Sequence, residues 1–166
     1  MKIRYEIILW YSHFLKSIPG NIGCFIRVKL LPIQSGKNVK IWDNVQIDSP
    51  SKIKIGSNVS INRSSFLHGG GGIQIGNDVL IGPNVTIYSQ NHVFNNKDIL
   101  IRKQGYNIKK VNIGNNVWIA ANVIILPGVS IGDNCIIAAG TIVTKSITKN
   151  SIVKNQITLD IKTSKN

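Results

Sequence analysis

The sequence predicts an all-β chain wound as a parallel β-helix, and three observations carry that prediction. The first is a period of six. Ile75-Gly-Asn-Asp-Val-Leu, Ile81-Gly-Pro-Asn-Val-Thr and Ile87-Tyr-Ser-Gln-Asn-His repeat one pattern, and Ile113, Ile119, Ile125, Ile131, Ile137 and Val143 continue it. A fixed short period means one unit stacked on itself, and a hexad points to a parallel β-helix. The second observation is the bias at the leading position. With two-residue insertions allowed, the frame runs back through Leu67, Ile61, Ile55, Ile47, Ile41 and Ser35. Fourteen of its fifteen leading positions are then Ile, Leu or Val, as a stacked aliphatic interior requires. The third is the residue three places on: Asn38, Asn44, Asn58, Gly70, Asp78, Asn84, Asn116, Asn122, Gly128, Asn134 and Gly140. These types tolerate left-handed backbone, so each six reads as a short strand and a sharp corner. Three sixes close a triangle, and coils stack at strand spacing, about 4.8 Å apart. Five coils are countable, at 35–54, 55–74, 75–92, 113–130 and 131–148.

Residues 1–34 stand outside the frame as an N-terminal helical segment. Ile7, Trp10, Tyr11, Phe14, Leu15 and Ile18 recur at helical spacing, and Pro19-Gly20 ends the run. Glu6 and Lys16 interrupt the apolar stretch, and no small-residue cleavage site follows, so a secretory signal is not expected. The stretch is also too short to span a bilayer. Two readings stay open. The segment caps the open bottom of the β-helix or packs on a neighbouring subunit, or it lies on the cytoplasmic leaflet, helped by Lys2, Arg4, Arg27 and Lys29.

The irregularities of the helix fall at one corner. The extra pairs at residues 53–54 and 73–74 and the excursion 93–112 all leave between the third side of one coil and the first side of the next. Loops gathered on one edge mark a working face. Just before the middle coil comes Gly69-Gly70-Gly71-Gly72. Such a run lets backbone or substrate approach closely, or serves a corner at positive φ, and the two are compatible. The excursion is polar and basic, with Arg102, Lys103, Lys109 and Lys110, and Tyr106 after Gly105. At that length inside a regular solenoid, function is favoured over a bare connection.

With 166 residues and a thin prism, this is one domain that gains by packing flat faces together, and closed symmetry makes the expected assembly a homotrimer. The formal charge of +13 invites a nucleic-acid reading. The basic residues are dispersed, however, and no helix-turn-helix, finger or RNA-binding signature appears, so no nucleic acid is expected. A phosphate-bearing small molecule or an anionic membrane fits the charge equally well. Cys24 and Cys135 have neither Cys-x-x-Cys spacing nor a disulfide framework, and Cys135 occupies a small inward position as a reduced core thiol. The tail 149–166 departs from the hexads.

On these hexads, the chain resembles the hexapeptide-repeat acyltransferases, whose coils form a left-handed β-helix. Ile75 to Lys145 is most similar to the galactoside and maltose O-acetyltransferases and related polysaccharide O-acetyltransferases. The resemblance implies a cytoplasmic enzyme, at the inner face of the membrane in some settings. It would move an acetyl group from acetyl-CoA to a sugar hydroxyl, in capsule or O-antigen synthesis. An N-acyltransferase on an amino sugar and a non-catalytic solenoid binding membrane or polyanion are the rival readings. Acyl transfer to a hydroxyl needs a base near neutral pH and a donor for the oxyanion. Of His13, His68 and His92, only His92, in Ser89-Gln90-Asn91-His92, matches the family's catalytic histidine in register. Asn62, thirty residues earlier, matches its asparagine at the acceptor or oxyanion, though a solvated turn asparagine reads the same way. The family's acceptor-binding aspartate falls on Gly70, which implies a changed acceptor. For the coenzyme, the resemblance implies Trp118 along the pantetheine arm, Ala121 and Ala139 stacked as a groove, and Thr144 and Lys145 near the adenine and phosphates. The tail lacks the Gly-x-Pro-Ala turn and basic helix with which relatives close. Related carbonic anhydrases hold zinc through three histidines. His92 has no paired histidine in the neighbouring coil, and no metal is expected.

Overall fold

A computed structural model describes the backbone of residues 2–155 and the side chains of residues 10–155. Three parallel sheets make the faces of a prism. Face A stacks Gln34–Ser35, Ile53–Ile55, Ile73–Ile75, Val111–Ile113 and Ser130–Ile131. Face B stacks Lys40–Ile41, Ser60–Ile61, Leu80–Ile81, Trp118–Ile119, Ile136–Ile137 and Ile152–Val153. Face C stacks Gln46–Asp48, Phe66–His68, Thr86–Tyr88, Ile124–Ile125 and Ile142–Val143. The register sets like on like: Ile61 beside Ile81, Ile81 beside Ile119, and Ile119 beside Ile137. Two or three residues per strand suffice, because each strand is paired above and below and a corner follows at once.

The interior is the stack of leading residues with the valines four places on. Ile61, Ile81, Ile119 and Ile137 are buried, as are Val59, Val79, Val85, Val117, Val123 and Val129. Each such side chain contributes about 1.5–3 kcal/mol by leaving water. Cys135 fills a valine slot as a buried free thiol, with Sγ 3.1 Å from the Thr148 carbonyl. Ten of the eleven corner residues named from sequence have φ between 52° and 85°. Gly70 is the exception. There the corner widens into a short 3-10 turn at Gly69–Gly71, and the positive φ, 91°, moves to Gly72. Ser64 also turns at φ 58°, although its residue type did not announce it.

The edge between faces A and B is the most regular. Asn58 donates to Asp78 at 2.9 Å, Asn116 to Asn134 at 2.9 Å, and Asn134 to Asn150 at 3.0 Å. Beside this ladder, a Cβ on Gly114 would stand 2.8 Å from the Asp133 amide nitrogen and 2.9 Å from the Gly132 carbonyl carbon. Only glycine lets one coil settle onto the next there.

The count of five coils is one short of what forms. Ile147 bridges to Ile131, and Ile152–Val153 pairs with Ile136–Ile137, so two sides of a sixth coil are laid down. The solenoid therefore continues through the first residues assigned to the tail. Backbone pairing explains this, since Ile152 itself is exposed. The rest of the 149–166 tail, from Gln156 on, lies outside the described residues.

At the other end stand two helices where one was foreseen: α1 (Lys2–Ser17) and α2 (Gly20–Leu30), parted at Pro19. α2 packs its Cys24–Arg27 face on the first coil, with both side chains buried. The placement of Arg27 removes it from the cations that the membrane alternative counted on. Its Nε donates to the Ile41 carbonyl at 2.7 Å, and its Nη1 to the carbonyls of Leu15 and Ile18 at 2.8 and 2.7 Å. The last carbonyls of a helix lack intrahelical donors, and the guanidinium supplies them while tying α1, α2 and the first coil together.

Candidate functional site

The excursion expected at 93–112 is a β-hairpin. Gln90–His92 pairs antiparallel with Tyr106–Ile108, and Val93 donates to the Gly105 carbonyl at 3.1 Å. Its far end is held by Gln104, whose side chain donates to the carbonyls of Asn96 and Ile99 at 2.8 and 2.7 Å. A polar, basic loop was expected, and the basic residues are exposed as foreseen. Phe94, Ile99, Leu100 and Ile101 are exposed with them, so the end of the hairpin is also apolar.

His92 is exposed at the end of this first strand, with its ring 4.6 Å from that of Tyr106. Their strand positions face each other across the hairpin, which sequence spacing alone did not reveal. Among the described residues, no hydrogen bond engages the imidazole; only the His92 backbone amide is held, by Asn91 Oδ1 at 3.0 Å. The ring nitrogens are therefore available to a ligand.

The glycine run lies under the root of the hairpin. A Cβ on Gly71 would strike the Ser89 carbonyl, and one on Gly70 would meet the Gln90 side chain and, at 2.8 Å, His68 Cε1. The space is filled by the hairpin's own strand. Buried Ser89 locks the junction, accepting from the Gly71 amide at 2.8 Å and donating to the His68 carbonyl. Sequence reasoning missed Ser89, and its signal was a hydroxyl at an inward-facing position beside the glycines. The other two histidines, His13 and His68, line a cleft between α1 and face C, with Trp10, Tyr11 and Asp48.

The remaining site residues fall on two edges of the prism. Asn62 follows the Ser60–Ile61 strand, at the edge between faces B and C, and its Oδ1 accepts from the Arg63 amide at 2.8 Å. Ala121 and Ala139 follow the next strands of face B, at the same edge. Register places Gly82, Ala120 and Ala138 directly above Asn62, a column of small residues wider than the two alanines singled out from sequence. Trp118 stands on face B, half exposed between Leu80 and Ile136. Thr144 and Lys145, by contrast, follow the Ile142–Val143 strand of face C and are exposed at the edge that carries the hairpin. Lys109 runs along that edge, its Cδ 3.0 Å from where a Gly128 Cβ would be. One chain thus groups His92 with Thr144 and Lys145, and Asn62 with Ala121 and Ala139. It does not bring the two groups together.

The bacterial transferase hexapeptide model, of six repeats, matches residues 110–145. A solved galactoside acetyltransferase in complex with coenzyme A is 34% identical with a TM-score of 0.74, over 86% of this chain and 74% of that one. The chain belongs to the hexapeptide-repeat acyltransferase family. A hexapeptide-repeat acetyltransferase from Vibrio cholerae O1 biovar eltor, solved with acetyl coenzyme A, is also similar, at 25% identity and a TM-score of 0.74 over 85% of this chain and 78% of that one. The galactoside O-acetyltransferase of Lactococcus lactis subsp. lactis (strain IL1403) is 50% identical over 78 residues, 47% of this chain. That match spans only 37% of the relative's own length.

Proposed function

We propose that this member of the family is an acetyl-CoA-dependent O-acetyltransferase acting on a sugar hydroxyl, in capsule or O-antigen synthesis. The observation that carries the reading is His92, an exposed imidazole with free ring nitrogens at the end of the first strand of a basic hairpin. The imidazole takes the proton of the acceptor hydroxyl as its oxygen attacks the thioester carbonyl. The Asn62 amide donates to the oxyanion or holds the acceptor. The carbon–sulfur bond then breaks, and the departing thiolate recovers the proton from the imidazolium. Acetyl passes directly, without an acyl-enzyme. Trp118 lies along the pantetheine arm, the small column at Ala121 and Ala139 leaves room for it, and Thr144 and Lys145 receive the adenine and phosphates. The enzyme works in the cytoplasm.

The division of these residues between two edges supports a shared site. In a threefold assembly, the edge between faces B and C of one subunit meets the hairpin edge of its neighbour. Asn62 and His92 then converge between chains, and the coenzyme is held by both.

Labelled acetyl-CoA, offered with a panel of neutral and amino sugars, tests the chemistry. Label on a hydroxyl is the expected result. Label on an amine alone would replace this reading with N-acylation, and no transfer to any acceptor would favour a binding solenoid. Mixed, co-refolded Asn62→Ala and His92→Ala subunits should regain activity, because some mixed trimers hold one intact interface. Heterotrimers that stay inactive would place both residues in one chain's site.

A further inference from the structure

The two N-terminal helices expose large apolar side chains besides those they bury, Leu15 and Cys24. Trp10 and Phe14, one turn apart on α1, are 75% and 68% exposed. Ile22 and Phe25 on α2 are 73% and 69% exposed, and Leu30 follows at its end. A helix lying on a solenoid with water beyond it would present polar residues there. Large exposed apolar side chains mark a site of contact.

Charge identifies the partner. From Met1 to Trp42 there are seven Lys and Arg and one acid, Glu6. Arg27 is consumed inside, but Lys29, Lys37 and Lys40 are exposed around the helices, and Lys2 and Arg4 begin α1. The next acid, Asp43, is already engaged by Arg63 at 3.1 Å. No described helix is long and apolar enough to cross a membrane. An aromatic, uncrossed and basic helical surface has the composition of an element that lies in a lipid interface, with rings at headgroup depth and cations on anionic lipid.

We infer that the exposed apolar side chains of α1 and α2, Trp10, Phe14, Ile22 and Phe25, dock the protein on an anionic bilayer surface. The docking is reversible and electrostatically assisted, and does not depend on the acetyl-transfer chemistry.

Co-sedimentation of the full chain with phosphatidylcholine vesicles, with and without phosphatidylglycerol, tests this. Binding should require the anionic lipid and fall as salt rises. Trp10→Ser with Phe25→Ser should weaken it by at least about tenfold while the oligomeric state stays the same. Lys29→Glu, at an exposed side chain that takes part in none of the hydrogen bonds described above, should weaken it severalfold, and it tests the proposal even if the double variant misfolds. Absence of binding to anionic vesicles, or binding that neither variant alters, overturns the inference. So does a change in oligomeric state on replacing Trp10 and Phe25, which would assign the surface to a neighbouring subunit. None of these readouts uses acetyl transfer, so failure here leaves the catalytic reading untouched.

Discussion

The edge between faces A and B and the edge between faces C and A are built from the same hexad, and they behave oppositely. The first repeats without insertion: a glycine where coils touch, then an asparagine or aspartate, with side-chain bonds from Asn38 to Asn58, Asn58 to Asp78, Asn116 to Asn134 and Asn134 to Asn150. The second takes every irregularity, from the 3-10 turns at Pro50–Lys52 and Gly69–Gly71 to the hairpin of residues 90–108. The difference shows how a solenoid divides labour. One edge holds the stack in register, so that another can leave it and return. Where the ladder is interrupted, a side chain such as His92 stands clear of the stack.

The comparison can be broken most severely at His92. His92→Ala should leave the stack folded, since the side chain makes no hydrogen bond among the described residues, yet lower turnover roughly 10²–10⁴-fold, the range for loss of a general base. Steady-state rates beside an unchanged melting curve check this, and near-normal turnover would remove His92 from the mechanism. The regular edge should answer in the opposite currency of stability. Gly114→Ala drives a methyl against the Asp133 amide and the Gly132 carbonyl carbon of the next coil. Overpacking of this kind costs about 1–3 kcal/mol, a fall in Tm of roughly 2–12 °C. Calorimetry measures it, and an unchanged Tm would mean that the coils part easily at that corner. The smallest effect belongs to the third edge. Ala139 is exposed, so Ala139→Trp should fold normally while weakening acetyl-CoA binding by at least about tenfold, measured by titration calorimetry. Unchanged affinity would put the coenzyme elsewhere.

Much of this was legible in the residues because a hexad couples local and long-range order. When a side chain six places on repeats the same inward role, pattern dictates both strand and neighbour, so Ile61, Ile81 and Ile119 foretold their own stacking. The insertions at 53–54 and 73–74 likewise announced the edge that leaves the frame. Where the pattern stopped, so did the reading. Ile152 and Val153 pair into a sixth coil through backbone groups, which carry no sequence signal, and Gly70 yielded its left-handed turn to Gly72 once the corner widened.

By itself, then, the sequence determined the solenoid, its faces, its irregular edge and the histidine standing at it, because periodic burial is a one-dimensional property. Tertiary structure alone decided the contacts between segments that no period relates. It set Tyr106 against His92, Ser89 beneath the hairpin, and Arg27 inside the cap among three carbonyls rather than on the surface. It also separated Asn62, Ala121 and Ala139 from His92, Thr144 and Lys145. The physical reason is geometric: a hexad tells which side of a coil a residue occupies, but which sides can meet depends on the closed triangle and on what packs against it.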